Sequence, residues 1–174
     1  KRDDKQGELI SPVTRKVTYN IYVENSASMD GYVNGASEFK TAVYNYLSDI
    51  KIADLTDSLN LNYINSKEIP YGSDIADFIE KLDPATFQKR GGNRGSTDIA
   101  DVLKMLLKVT SKENVSVLIS DFIFSPGKGK DADEYLVNQQ IGIKTIMAEH
   151  LKQYPNHSVL IYQLDSKFDG SYFN

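Results

Sequence analysis

Val17-Thr18-Tyr19-Asn20-Ile21-Tyr22-Val23-Glu24-Asn25-Ser26-Ala27-Ser28-Met29 begins as a strand and stops in a run of short oxygen-bearing side chains. Apolar Val17, Tyr19, Ile21 and Val23 alternate with polar or amphipathic residues, the period-two pattern of a strand with two unlike faces. A carboxylate at Glu24 then precedes hydroxyls at Ser26 and Ser28. Hard oxygen donors therefore gather just past the carboxyl end of a strand, which is where open α/β sheets bind their ligands.

Downstream, Phe39, Val43, Tyr46, Leu47 and Ile50 recur at helical spacing and predict a helix from Ala36 to about Ile50. Leu59, Leu61, Tyr63 and Ile64 predict a second strand, interleaved with Asn60 and Asn62 and followed by Asn65. A short helix is expected from a Ser73 cap through Ile75, Phe78, Ile79 and Leu82, with Pro84 as its terminator. Residues 83–95 read as a loop that closes in Gly91-Gly92-Asn93-Arg94-Gly95. Ser96-Thr97-Asp98 opens the next helix, striped by Ile99, Val102, Leu103, Leu106 and Leu107.

Val115–Ile119 is a continuous apolar run of the kind buried on both faces of a parallel sheet, and it ends at Ser120-Asp121. A loop with Pro126, Gly127 and Gly129 leads to a long helix expected from about Asp133 to Gln153. Val159–Leu164 reads as a final strand. Strands alternating with helices in this way imply an α/β fold, doubly wound, with a mostly parallel sheet and helices on both faces.

The length of 174 residues suits one full domain. Residues 1–16 read as a polar leader and 17–165 as the domain. Residues 166–174, with Phe168, Tyr172 and Phe173, read as the start of a link to a further domain. A net charge of −4 with scattered basic residues argues against nucleic acid as a partner. No apolar run is long enough to span a bilayer. Cysteine is absent, which removes disulfides, thiolate nucleophiles and cysteine metal sites.

Three pieces of the chain fit one arrangement: Glu24-x-Ser26-x-Ser28 after the first strand, Thr97 beside the glycine-rich loop, and Asp121 after the later apolar strand. Together they resemble the metal-ion-dependent adhesion site of von Willebrand factor A domains, whose pattern is Asp-x-Ser-x-Ser, a Thr in a Gly-rich loop, and an Asp after a central strand. The resemblance runs from about residue 17 to 165. It implies that Ser26, Ser28 and Thr97 meet a divalent cation, Mg²⁺ or else Mn²⁺ or Ca²⁺, with Glu24 and Asp121 beside it. Mg²⁺ takes about six oxygens at roughly 2.1 Å, and neutral hydroxyls with water suit it. The implied function is cation-dependent binding, for adhesion or scaffolding, completed by an acidic group of a protein partner. The family's frequent extracytoplasmic setting, with the lack of cysteine, leans the location outward.

One position departs from the pattern, because Glu24 stands where the family has Asp. The added methylene lengthens the side chain by about 1.5 Å, whereas metal–ligand distances tolerate only about 0.2 Å. Glu24 then ligates by another route, acts through a water, or spoils the site; in the last case the domain is a metal-free interaction module. A Mg²⁺-dependent hydrolase is a further reading, and it lacks a positioned base. The chain's two histidines, His150 and His157, read as an exposed helix residue and a turn residue.

Ordinary readings compete with each piece. Ser26, Ser28 and Thr97 could cap helices, and Asp121 could close a turn. The glycine-rich loop lacks the lysine of a phosphate loop. Asp131, Asp133 and Glu134 read as a solvated helix start, and Tyr32 and Tyr71 as exposed loop contacts.

Overall fold

The computed structural model of the chain describes residues 16–95, 97–124, 126, 129 and 131–170. Strands β1 (Val17–Glu24), β2 (Thr56–Ile64), β3 (Glu68–Gly72) and β4 (Asn114–Ile119) form one sheet in the order β3-β2-β1-β4. β1 is parallel to both of its neighbours, and β3 is antiparallel to β2. The protein is therefore of the α/β class, with a mixed and mostly parallel sheet. Register brings the carboxyl ends level: Glu24 lies opposite Ile64, and Val23 opposite Ile119. Asn25, Asn65 and Ser120 consequently leave the sheet along one edge.

The helices are α1 (Asp30–Val33), α2 (Glu38–Ile52), α3 (Ile75–Glu80), α4 (Pro84–Lys89), α5 (Ile99–Val109) and α6 (Ala132–Gln153). Ile21 and Val23 pack with Phe39, Val43 and Leu47 of α2, Phe78 of α3 and Phe87 of α4. Tyr22 and Ile64 pack instead with Val102 and Leu106 of α5. Successive strand residues point to opposite faces, so the alternation in β1 assigns α2 and α5 to different sides. Each buried Leu, Val or Phe in these layers stabilises the fold by about 1.5–3 kcal/mol. α6 packs along α5.

Several expectations need correction. The segment 83–95 is not all loop. Pro84 starts α4 as well as following α3, because its missing N–H costs nothing in a first helical turn and Asp83 caps that turn. α3 is capped by Asp74 rather than Ser73. Tyr71 lies in β3, with its hydroxyl on Asp77, and Tyr32 lies in α1 and is partly buried.

β4 is not buried on both faces. It is the sheet's edge, and Val115 is exposed. Val159–Leu164 is not a strand among the described residues, and Ile161 is 90% exposed. Apolar composition marks a segment that could be a strand, but only a main-chain ladder makes it one, and this run has none. The leader expected over residues 1–16 falls outside the described residues except for Lys16, and the link expected over 166–174 falls outside them from residue 171 on, whereas Phe168 lies against Tyr32 of α1. No helix of the described residues is long and apolar enough to cross a membrane.

Candidate functional site

Glu24 is the last residue of β1 and is only 1% exposed. Alternation explains this. Tyr22 and Glu24 point to the α5 side, and the parallel neighbours β2 and β4 close over the strand end. The hydroxyl of Ser120, next to β4's last residue, donates to Glu24 Oε2. Glu24 Oε1 is buried with no hydrogen-bond partner among the described residues.

Past Glu24 the chain turns through Asn25–Met29, with Met29 N–H donating to the Ser26 carbonyl at 3.2 Å. The capping reading of the serines fails, because α1 receives no side-chain cap. Ser26 Oγ and Ser28 Oγ bond to each other at 2.9 Å.

The glycine-rich loop is fastened to this turn by Arg94. Its Nε donates to the Asn25 carbonyl at 2.9 Å and its Nη2 to the Ser26 carbonyl at 3.4 Å, and it pairs with Asp30. Ala27 N–H returns a bond to the Arg94 carbonyl at 2.9 Å. Gly92 takes φ +78°, and a Cβ there would run into the Asn65 amide, so the loop needs glycine at that position. The loop delivers Thr97, 4% exposed, whose Oγ1 is also buried and unpartnered among the described residues. Thr97 does not cap α5. Asp98 does, accepting from Asp101 N–H at 3.0 Å.

Asp121 divides its roles. Its Oδ1 accepts from Ile123 N–H at 3.0 Å, the turn contact expected of a residue at a strand end. Its Oδ2 is the third buried oxygen of the region with no partner among the described residues.

The electrostatics tie these groups to one place. Burial pushes the Glu24 carboxyl above its usual pKa, and the Asp121 carboxylate pushes the same way. The hydroxyls of Ser120, Ser26 and Thr97 oppose them. The last two lie near the carboxylate but outside hydrogen-bond geometry. Ser26, Thr97, Ser120 and Asp121 thus all act on Glu24 at the carboxyl edge of the sheet, with Ser28 bonded to Ser26.

By donor type this set suits a hard cation: hydroxyls and two carboxylates. The described residues contain no cluster of three or more His, Cys, Asp or Glu that could hold a metal. A cation here would therefore rest on the hydroxyls as much as on charge.

Four participants escaped the sequence reading. Ser120 was visible beside Asp121, but only register places it against Glu24. Arg94 looked like a loop residue. Asn25 and Asn65 looked like polar punctuation at strand ends, and they prove to be a buried pair beneath the turn, with Asn65 Nδ2 donating to Asn25 Oδ1 at 2.9 Å. His150 is corrected as well. It is not an exposed helix residue but is buried at the carboxyl end of α6. Comparison with family models and with curated proteins finds no match for this chain.

Proposed function

We propose that the chain is a doubly wound domain of the von Willebrand factor A type that binds a divalent cation at this edge and uses it to hold an acidic group of a protein partner. The observation that carries the reading is that Glu24 Oε1, Thr97 Oγ1 and Asp121 Oδ2 are buried oxygens without partners among the described residues, with Thr97 and Asp121 both acting electrostatically on Glu24. Buried polar atoms are ordinarily satisfied, so three orphans at one sheet edge ask for a ligand that supplies positive charge. Ser26, Ser28 and Thr97 would hold the cation through hydroxyls, with Glu24 and Asp121 alongside. The bound ion would supply Lewis acidity toward a carboxylate. The domain's own residues orient that encounter and exclude water from the inner side of the turn. A binding role fits better than hydrolysis, because the chain's two histidines bond to one another on α6 and its following turn.

A second reading has its own observation. Ser120 already occupies Glu24 Oε2, and Ser26 and Ser28 are bonded to each other. These contacts would serve a metal-free interaction module whose longer Glu24 is tied back. Thermal melts separate the two. Mg²⁺ at a hundred times its dissociation constant adds about 2.7 kcal/mol to a protein that binds it, and EDTA reverses the gain. The cation reading expects that rise in the parent and its loss in Asp121→Ala. A variant that answers Mg²⁺ as the parent does sinks the site, and a parent that does not answer leaves the metal-free module.

A further inference from the structure

His150 and His157 lie outside the site described above and form a unit of their own. His150 Nε2 and His157 Nδ1 are 2.9 Å apart, a direct imidazole–imidazole hydrogen bond. The Tyr154 ring stacks on His157, with centroids 4.9 Å apart and planes within 10°, and it also lies against His150. Tyr154 N–H donates to the His150 carbonyl at 2.8 Å, and His157 N–H to the Tyr154 carbonyl at 3.0 Å. His157 Nε2 is buried with no hydrogen-bond partner among the described residues. A neutral pair satisfies this bond with one donor and one acceptor. One proton can be shared, but a second puts two cations in contact with no acceptor between them.

The pair sits where α6 ends and the exposed apolar run Val159–Leu164 begins. The far end of that run is also fastened: Lys167 N–H donates to Glu38 at 3.2 Å, Asp169 N–H to the Gly31 carbonyl at 2.8 Å, and the Phe168 ring rests on Tyr32. We infer that the His150–His157 bond is a proton-operated latch: closed while the pair is neutral or shares one proton, and opened by the second, so that acid frees the α6 end of the run while the Phe168 end stays docked.

Among the described residues no ion pair involves either histidine. His157 and Tyr154 are the titratable groups facing His150, and burial together with His157 holds His150 below its ordinary pKa. Glu149 and Lys152 on α6 are exposed, as are Asp101, Lys104 and Lys108 on the packed α5, and Asp98 is bonded to Gln139. The sign follows. The opened form binds protons more readily, so the closed form loses ground as pH falls below about 6.5.

With only two histidines in the chain, imidazole NMR signals can be followed one by one through pH. The latch predicts that His150's midpoint lies below the ordinary value. Hydrogen exchange at the Tyr154 and His157 amides, corrected for intrinsic rates, should lose protection about tenfold for each pK unit of depression. In His157→Gln the His150 midpoint should move up and the acid loss of protection should shrink, the burial of His150 keeping the remainder. A His150 midpoint at the ordinary value overturns the proposal. So does a depressed His150 midpoint with those amides still protected down to about pH 5.

Discussion

Two buried polar groups sit one residue apart in the chain and could hardly differ more. Asn25 and Asn65 are fully buried, yet their bonds close on one another. Asn65 Nδ2 serves both Asn25 Oδ1 and the Gly91 carbonyl, its Oδ1 takes Lys67 N–H, and Asn25 Nδ2 reaches the Phe87 carbonyl. Glu24, next door and almost equally buried, has one oxygen on Ser120 and the other on nothing among the described residues, with Asp121 similarly half-served and the Thr97 hydroxyl without a partner among them. A satisfied network fixes geometry. An unsatisfied one is a standing cost of about 1–3 kcal/mol per group that some ligand can remove. The first cluster is a foundation, and the second has the character of a socket built on it.

That contrast can be broken most forcefully from the foundation side. Asn65→Ala strips partners from Asn25, Gly91 and Lys67 at once, and should cost about 3 kcal/mol. The expected reading is a lower urea midpoint at unchanged m value. A loss within experimental scatter would mean that the asparagines are not the base on which the turn stands.

The socket should respond in the opposite direction. Glu24→Gln removes a buried charge while keeping an oxygen for Ser120. In EDTA it should therefore stabilise, by about 1.4 kcal/mol for each pK unit by which burial raises the parent carboxyl. The sign is specific. Because Glu24's folded pKa is raised, its contribution is whole below the unfolded value near 4.5 and is lost as pH rises through the folded value. The parent should thus lose ground to the variant on going from pH 4.5 toward neutrality, as parallel melts would record. A variant less stable than the parent at pH 7 without cation would refute the account of Glu24.

The smallest effect sharpens the comparison most. Thr97→Val deletes a hydroxyl that caps nothing, so cation-free stability should move by no more than about 1 kcal/mol, and upward if it moves. The Mg²⁺-induced rise in Tm should shrink in the same variant. A clear destabilisation in EDTA would show instead that the hydroxyl already has structural work.

Sequence periodicity was enough for α2 and α5, whose buried face repeats at helical spacing, and for β1 and β2, whose aliphatic residues mostly keep a period of two even though both faces are buried toward the carboxyl end. The same rule misread β4 and Val159–Leu164. Apolar content says that a segment can be buried, whereas neighbouring strands decide whether it is, and β4 lies at the sheet's edge. Short helices such as α1 and α4 have too few turns to show a period. For the site, the oxygen-rich turn and Asp121 stood out by residue type and by position after a strand.

The sequence by itself determined the α/β alternation, the place of the turn after β1, and the kinds of atom offered there, since these are local properties of the chain. Only the tertiary structure decided that Ser120 meets Glu24, that Arg94 binds the glycine-rich loop to the serine turn, and that two histidines join at the end of α6. Those contacts span up to 96 positions for Glu24 and Ser120. They are fixed by strand register and by burial, and neither is written in any one stretch of residues.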